Sequence, residues 1–285
     1  MRFLVIGASG AQGGAVARRL AAQGHEVRGF ARTANVPEGV RPFPGDLGDA
    51  QRVKEAFEGV THASVLLPLV YDAATVAATV SATVAAYVRH VIDGALAAGV
   101  RRLAFNTGNR LPGTATGVAA FDTRARAARA LLDSGVPTVV LRPPLYADNL
   151  LAPGVRGAGV LRYPLPADLA VPWLTHTDLG TVTAAALTAG GLEGATLDLG
   201  GPDAVTGPEL AAMFGPDVRY EEQDVAAFEA ALAPALGAEA AAGVAATYRW
   251  IGAASRDFFA APAGGLDVRL TPLREWIATR QWDPA

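Results

Sequence analysis

The chain has 285 residues, a formal net charge of −3 and no cysteine. Its 51% hydrophobic and 18% charged residues indicate a folded protein of one large or two modest domains. The lack of cysteine excludes disulfides, thiolate metal sites and a cysteine nucleophile. The lack of a basic stripe argues against nucleic acid as a partner.

The apolar segments are short. The run at the N-terminus is too short for a signal peptide, and the longest uncharged stretch, residues 73–88, is shorter than a membrane span. We therefore expect a cytoplasmic protein without membrane contact.

Strands and helices alternate over the first half of the chain. The predicted strands are residues 3–6, 26–31, 40–43, 60–67, 101–105 and 138–141. The predicted helices are one that follows the first strand and ends at Gly24, and those at 50–57, 73–98 and 119–134. Alternation at this spacing predicts right-handed crossovers and a parallel sheet, and hence an α/β fold.

The alternation breaks beyond residue 150, where segments rich in glycine and proline begin. We expect residues 1–150 to form the first domain and residues 151–285 a smaller region. The patterns at 178–190 and 196–199 predict one more helix and strand, so that about 175–200 returns to the main sheet.

A glycine-rich turn directly follows the first predicted strand. It reads GASGAQG over residues 7–13, and an amphipathic helix comes next. In such a turn the backbone bends tightly, approaches a pyrophosphate and leaves free N–H groups at the positive end of the helix dipole. This context favours a dinucleotide site over an ordinary strand-to-helix turn. The predicted cofactor contacts here are Gly7, Ser9, Gly10, Ala11, Gln12 and Gly13.

The end of the second predicted strand indicates which dinucleotide binds. An NAD site places an acidic residue there for the ribose 2′-hydroxyl, whereas an NADP site omits the acid and supplies an arginine. Ala31 holds that position and Arg32 follows it. This favours NADP(H), and the alternative is that Arg32 is an ordinary surface residue. Asp46 and Leu47 are the next expected contacts, with Asp46 accepting from the adenine amino group or else capping a turn.

Several ordered motifs resemble the NmrA-like family of atypical short-chain dehydrogenases/reductases. They are residues 7–13, 31–32, 45–47, 141–149 and 171–180. The resemblance implies a Rossmann-type doubly wound parallel sheet that binds NADP(H) across the carboxyl ends of its strands. It also implies a small C-terminal α/β substrate region. Members of the family include NAD(P)H-dependent reductases of quinones and other small molecules, and non-catalytic proteins that sense the redox state of the cofactor.

The chain departs from the usual short-chain enzymes at the proton relay. That relay is Tyr-x-x-x-Lys, but Lys54 is the only lysine and Ala50 stands four residues before it. Reductases of the family often have a lysine where this chain has Arg124, so Arg124 is a candidate for a fixed charge near the ribose or substrate. The alternative is a solvated residue on a helix.

Three loops after predicted strands are expected to line the nicotinamide end of the site, since ligands bind outside the carboxyl ends of strands in such sheets. The expected cofactor contacts in them are Leu66, Leu67, Pro68, Asn106 and Pro143. Thr107 and Tyr146 are candidates to hydrogen-bond an acceptor oxygen, with a structural role as the alternative for each. With Arg124, they are the catalytic candidates.

The histidines are too scattered in sequence for a metal site, and none is predicted. They are His25, His62, His90 and His176. Tyr87 and His90 share a helix face and are expected to pack. Asp178 is expected to cap the helix that begins at Leu179.

The C-terminal part has an alanine-rich stretch, residues 225–246, which predicts a helix. Aromatic residues follow it at Tyr248, Trp250, Phe258 and Phe259. They are expected either to cap an apolar substrate pocket or to form the core of the smaller region.

Two functions are consistent with these patterns. The first is an NADPH-dependent reductase of a small apolar acceptor such as a quinone, which can take its proton from solvent. The second is a non-catalytic NADP(H)-sensing regulator with a protein partner. The missing relay favours the regulator, and the pocket-forming loops favour the enzyme. A sugar-nucleotide epimerase is a third and weaker alternative.

Overall fold

The computed structural model describes residues 1–68, 77–152, 154–260, 266–280 and 282. The strands are β1 (Arg2–Ile6), β2 (Glu26–Ala31), β3 (Arg41–Pro44), β4 (His62–Leu66), β5 (Arg102–Asn106), β6 (Thr138–Arg142), β7 (Arg156–Gly157), β8 (Val160–Tyr163), β9 (Thr196–Asp198) and β10 (Arg219–Glu222). The helices are α1 (Ala11–Ala22), α2 (Ala50–Phe57), α3 (Ala77–Ala97), α4 (Ala119–Leu132), α5 (His176–Thr188), α6 (Gly207–Phe214), α7 (Val225–Leu236), α8 (Ala238–Ala253) and α9 (Leu273–Ala278).

Seven strands form one parallel sheet in the order β3-β2-β1-β4-β5-β6-β9. The order reverses between β1 and β4, which is where doubly wound sheets leave a crevice at their carboxyl edge. The predicted α/β fold is therefore confirmed, and every predicted strand lies within two residues of its observed bounds. A smaller sheet has the order β10-β8-β7.

Side chains of the central strands alternate between two apolar layers, as the pleat of a strand requires. Leu4 and Ile6 of β1 belong to a core cluster with α2, α3 and α4, whereas Phe3 and Val5 belong to a cluster with α1 and α5. Helices α1 and α5 pack so closely that a Cβ on Gly180 would lie 2.7 Å from the carbonyl oxygen of Ala15. The sheet is thus buried on both faces, which explains its continuous apolar runs.

In a third apolar cluster the small sheet packs with α6, α8 and α9, and the cluster also includes Leu111, Phe121 and Leu145 from the first part of the chain. We retain residues 1–150 and 151–285 as a proposed division of the chain. Strand β9 of the second part pairs with β6 of the first, in the register Leu141 to Leu197. None of the helices in the described part of the chain has both the length and the apolar character needed to cross a membrane.

One predicted helix differs from the structure, and the start of another cannot be compared. The stretch 225–246 is two helices, α7 and α8, because Gly237 between them takes a φ of 85°, which only glycine adopts easily. Helix α3 is described over Ala77–Ala97, and the predicted residues 73–76 lie outside the described part of the chain.

The predicted cap at Asp178 is wrong. Helix α5 begins two residues earlier than Asp178, and Thr175 is its N-cap because the Thr175 hydroxyl accepts from the Asp178 N–H at 2.9 Å. The buried Asp178 carboxylate instead accepts from the backbone N–H and the hydroxyl of Thr271, both at 3.1 Å. It thereby connects α5 to the segment before α9.

Candidate functional site

A cavity of about 400 Å³ lies at the carboxyl edge of the sheet, at the crevice between β1 and β4. We call it the long cavity. Twelve of the predicted site residues line it: Gly7, Ser9, Gly10, Gln12, Arg32, Asp46, Leu47, Leu66, Leu67, Pro68, Thr107 and Arg124. The parallel strands bring these residues together because their carboxyl ends meet at one edge.

The glycine turn has the backbone geometry of an anion site. Gly7 takes a φ of 82°, and Gly10 caps α1 without a side-chain hydrogen bond. The N–H groups of the first helical turn, at Ala11, Gln12 and Gly13, have no intrahelical acceptor, and of these three residues Gln12 lines the cavity, where its N–H is available to a phosphate.

Gly10 and Gly13 of this turn differ in how much space surrounds them. A Cβ on Gly10 would lie 3.4 Å from its nearest neighbour, the Gly7 carbonyl oxygen, which is ordinary contact. A Cβ on Gly13 would lie 2.3 Å from the same oxygen. Gly13 is therefore needed for the close packing of strand against helix, and neither Gly13 nor Ala11 lines the cavity.

The end of β2 fits a phosphate better than a ribose hydroxyl. Ala31 is buried and provides no carboxylate, while the exposed Arg32 lines the cavity. Asp46 also lines it, but its Oδ1 accepts from the Gly48 N–H at 2.7 Å, so the carboxylate shapes its own turn as well. The donor set at this end suits NADP(H), with Arg32 able to hold a 2′-phosphate.

Tyr87, for which the sequence pattern predicts packing, lines the long cavity. It reaches the long cavity from α3, and burial together with nearby Asp46 raises the pKa of its phenol. One turn away, His90 Nδ1 lies 2.8 Å from the Leu47 carbonyl oxygen, to which it donates. The sequence signal that could have placed Tyr87 at the site is the presence of two polar aromatic residues on a helix otherwise rich in alanine and valine.

Arg124 is buried and holds the loop that follows β4. Its Nη2 donates to the carbonyl oxygens of Leu67 and Pro68, each at 2.9 Å. The predicted alternative of a solvated arginine is therefore wrong, since only 2% of Arg124 is exposed. Its guanidinium supplies a fixed positive charge at the wall of the long cavity.

Thr107 is fully buried, and its hydroxyl lies 2.6 Å from the Asn109 carbonyl oxygen and 3.1 Å from that of Leu141. A hydroxyl has one proton to donate, and here it goes to the backbone. Towards a ligand, the Thr107 oxygen can only accept. Its catalytic role stays a prediction.

A second cavity of about 200 Å³ shares Gln12, Gly108 and Asn109 with the long cavity. We call it the short cavity. The segment after β6 and helix α8 supply its other walls: Pro144, Leu145, Tyr146, Asn149, Val244, Thr247 and Tyr248, with Ala120 from α4. None of the described residues that line it is charged.

A hydrogen-bond network lies where the two cavities meet. Gln12 Oε1 accepts from the Tyr146 hydroxyl and from Asn106 Nδ2, both at 3.0 Å. Asn106 Oδ1 accepts from the Gly108 N–H at 2.8 Å. Burial raises the pKa of the Tyr146 phenol well above its ordinary value, so the hydroxyl stays protonated. Asn106 supports this network without lining either cavity, and the buried Pro143 lines neither.

The C-terminal aromatic residues divide between the two expected roles. Trp250 packs edge-on against Phe121 and Phe258, and both Trp250 and Phe258 are half-buried against the third apolar cluster. Tyr248 belongs to the same cluster and also lines the short cavity. The cavity wall from α8 comes from a helix far along the chain, and no local pattern relates it to the glycine turn.

Proteins of known activity resemble this chain in sequence. It is 34% identical over 247 residues to a (4-alkanoyl-5-oxo-2,5-dihydrofuran-3-yl)methyl phosphate reductase from Streptomyces griseus subsp. griseus, covering 81% of this chain and 80% of the relative. It is 29% identical over 201 residues to quinone oxidoreductase 2 of Escherichia coli (strain K12), covering 68% and 66%.

Solved structures share the fold over most of the chain. The Escherichia coli quinone oxidoreductase QOR2 in complex with NADPH has a TM-score of 0.67 and 24% identity, and the match covers 98% of this chain and 99% of that one. NmrA, a negative transcriptional regulator in complex with NADP, has a TM-score of 0.64 and 18% identity over 78% and 74%. The model of the NmrA-like family matches residues 1–254. This chain therefore belongs to the NmrA-like family.

Proposed function

We propose that this protein is an NADPH-dependent reductase of a small, neutral, largely apolar acceptor such as a quinone. The observation that carries the proposal is the pair of cavities that meet at Gln12, Gly108 and Asn109. A reductase needs the hydride donor and its acceptor in adjacent spaces, held in contact and sheltered from water.

The long cavity suits the cofactor in three places. The backbone of the glycine turn at Ser9, Gly10 and Gln12 would hold the pyrophosphate, and Arg32 would hold the 2′-phosphate. Asp46 and Tyr87 would lie at the adenine end. Hydride chemistry is supplied by the cofactor, so the protein has to bind, orient and exclude water.

The short cavity favours a neutral acceptor. The described residues that line it are apolar or uncharged polar, and a phosphate would need a cation or several N–H donors to leave water. The Streptomyces relative acts on a phosphate ester and the Escherichia coli relative is a quinone oxidoreductase. The uncharged walls favour the second kind of substrate for this chain.

The absence of the Tyr-x-x-x-Lys relay also favours a quinone. Simple ketones need a proton as the alkoxide forms, whereas the reduced quinone anion is a weaker base that water can protonate. Arg124 does not replace the relay, because a guanidinium stays protonated and is here hydrogen-bonded to the carbonyls of Leu67 and Pro68.

A second candidate function is a non-catalytic regulator that binds NADP(H) and a protein partner. The missing relay favours it, and so does the shared fold with NmrA. A regulator does not need the short cavity, and for that reason we prefer the reductase.

The test is the loss of NADPH absorbance with a panel of quinones and simple ketones. We expect turnover with quinones and little with ketones. The control is the variant Gly10→Val, which should fold but bind no cofactor. Tight NADPH binding without turnover on any acceptor would instead identify the regulator.

A further inference from the structure

Two buried tyrosines meet at the wall of the short cavity. The hydroxyl oxygens of Tyr163 in β8 and Tyr248 in α8 are 2.5 Å apart, and their rings contact edge to face. Only 2% of Tyr163 and 6% of Tyr248 are exposed. Tyr248 lines the cavity, whereas Tyr163 is not among its lining residues.

The hydrogen bonds around this pair indicate which hydroxyl donates. Asn149 Nδ2 donates to the Tyr163 oxygen at 3.4 Å. The hydrogen bond between Asn149 and Tyr248 lowers the pKa of the Tyr248 phenol, so the amide donates there too and does not take the Tyr248 proton. Among the described residues, the Tyr248 oxygen is the one acceptor within reach of the Tyr163 proton. The opposite direction would leave a donor without a partner in the core, which is costly. Tyr163 therefore donates to Tyr248.

The proton of Tyr248 is then left for the cavity. The other hydroxyls in the cavity wall donate their protons in hydrogen bonds within the protein: Tyr146 donates to Gln12, and Thr247 donates to the Gly243 carbonyl at 3.2 Å. Burial raises the pKa of Tyr248 to about 12, so its hydroxyl remains a donor at neutral pH.

We propose that Tyr248 donates a hydrogen bond to the carbonyl oxygen of the acceptor and that Tyr163 is the positioning residue that orients it. This rests on the proposed reductase function and identifies an oxygen-bearing acceptor as its substrate class. The hydrogen bond stabilises the negative charge that grows on the oxygen when hydride arrives, and the oxygen then takes its proton from water. Tyr248 itself stays protonated throughout.

The test measures binding and turnover separately. Naphthoquinone and naphthalene have similar shapes, but only the quinone has oxygens to accept from Tyr248. Both are titrated into protein saturated with NADP⁺, which cannot reduce them, and the chain has no cysteine that a quinone could alkylate. We expect Tyr248→Phe to weaken naphthoquinone by about three- to tenfold, the size of one hydrogen bond, and to leave naphthalene unchanged.

The matched control is Tyr220→Phe. Tyr220 is a half-buried tyrosine whose hydroxyl donates to the carbonyl oxygens of Tyr163 at 3.2 Å and Leu165 at 2.7 Å, outside the short cavity. Its removal should not change binding of either ligand. An equal loss for both ligands in Tyr248→Phe would overturn the proposal, as would no loss for either.

A second comparison covers the possibility that Tyr248→Phe folds poorly because Tyr163 loses its acceptor. In the Tyr163→Phe background the Tyr163 hydroxyl is absent, so Tyr248→Phe leaves no buried donor without an acceptor. Adding Tyr248→Phe there should again weaken the quinone alone.

Turnover keeps this proposal separate from the proposed function. If Tyr248→Phe loses quinone affinity but the unaltered protein does not oxidise NADPH, the proposed hydrogen bond is supported and the proposed reductase function is contradicted. If the protein reduces quinones and Tyr248→Phe changes neither turnover nor affinity, the reductase function is supported and the proposed hydrogen bond is contradicted.

Discussion

The hydroxyl of Tyr146 donates a hydrogen bond to Oε1 of Gln12 over 3.0 Å, although 134 residues separate the two in sequence. The bond connects the segment after β6 to the glycine turn at the junction of the two cavities. It also uses the Tyr146 proton, so this phenol has a structural partner in the folded protein.

For that reason Tyr146→Phe should lower quinone turnover only modestly, by less than about tenfold, and destabilise the protein by about 1 kcal/mol. Steady-state kinetics and urea unfolding measure the two effects, and Tyr220→Phe is the control for loss of a hydrogen-bonded tyrosine hydroxyl outside both cavities. A fall of several orders of magnitude would mean that Tyr146 is a proton relay after all.

Replacement of Arg32 should change the affinity for NADPH but not the affinity for NADH. We expect Arg32→Ala to weaken NADPH by about tenfold or more and to leave NADH nearly unchanged, because only NADPH has the 2′-phosphate. Fluorescence titration with each cofactor measures both dissociation constants. Equal affinity of the unaltered protein for NADPH and NADH would show that Arg32 does not read the phosphate.

The glycine turn predicts opposite results for two substitutions. Gly10→Val should fold, since a Cβ there makes ordinary contact, but its side chain should block both cofactors at the pyrophosphate. Gly13→Ala should destabilise the fold, because its Cβ would lie 2.3 Å from the Gly7 carbonyl oxygen. Thermal unfolding and NADPH titration distinguish them. Unchanged binding in folded Gly10→Val would place the nucleotide elsewhere.

The buried tyrosines predict a loss of stability at alkaline pH. Burial raises the pKa of Tyr248 to about 12 and raises those of Tyr146 and Tyr163 as well. Unfolded tyrosines ionise near pH 10, so above about that pH the unfolded chain binds fewer protons than the folded one, and the free energy of unfolding falls as pH rises.

The expected loss is about 1.4 kcal/mol per pH unit for each such tyrosine between its unfolded and folded pKa values. Urea unfolding over the range from about pH 8 to pH 12 measures it. Tyr146→Phe should show a shallower decline than the unaltered protein. Stability that stays constant across this range would contradict the prediction.

The sequence by itself determined the fold class, because periodicity and turn chemistry are local properties of the chain. A buried strand, a glycine turn and an amphipathic helix in succession leave few arrangements other than a doubly wound sheet. Ala31 and Arg32 indicated the 2′-phosphate for the same reason, since both follow directly from the end of β2.

Only the tertiary structure decided what each polar side chain does. The partners of Tyr146, Arg124 and Asp178 lie 134, 57 and 93 residues away in sequence, so no local pattern identifies them. The Tyr163–Tyr248 pair likewise needs β8 and α8 to pack together. A hydroxyl proton goes to the nearest acceptor in space, and which acceptor is nearest depends on how distant segments pack.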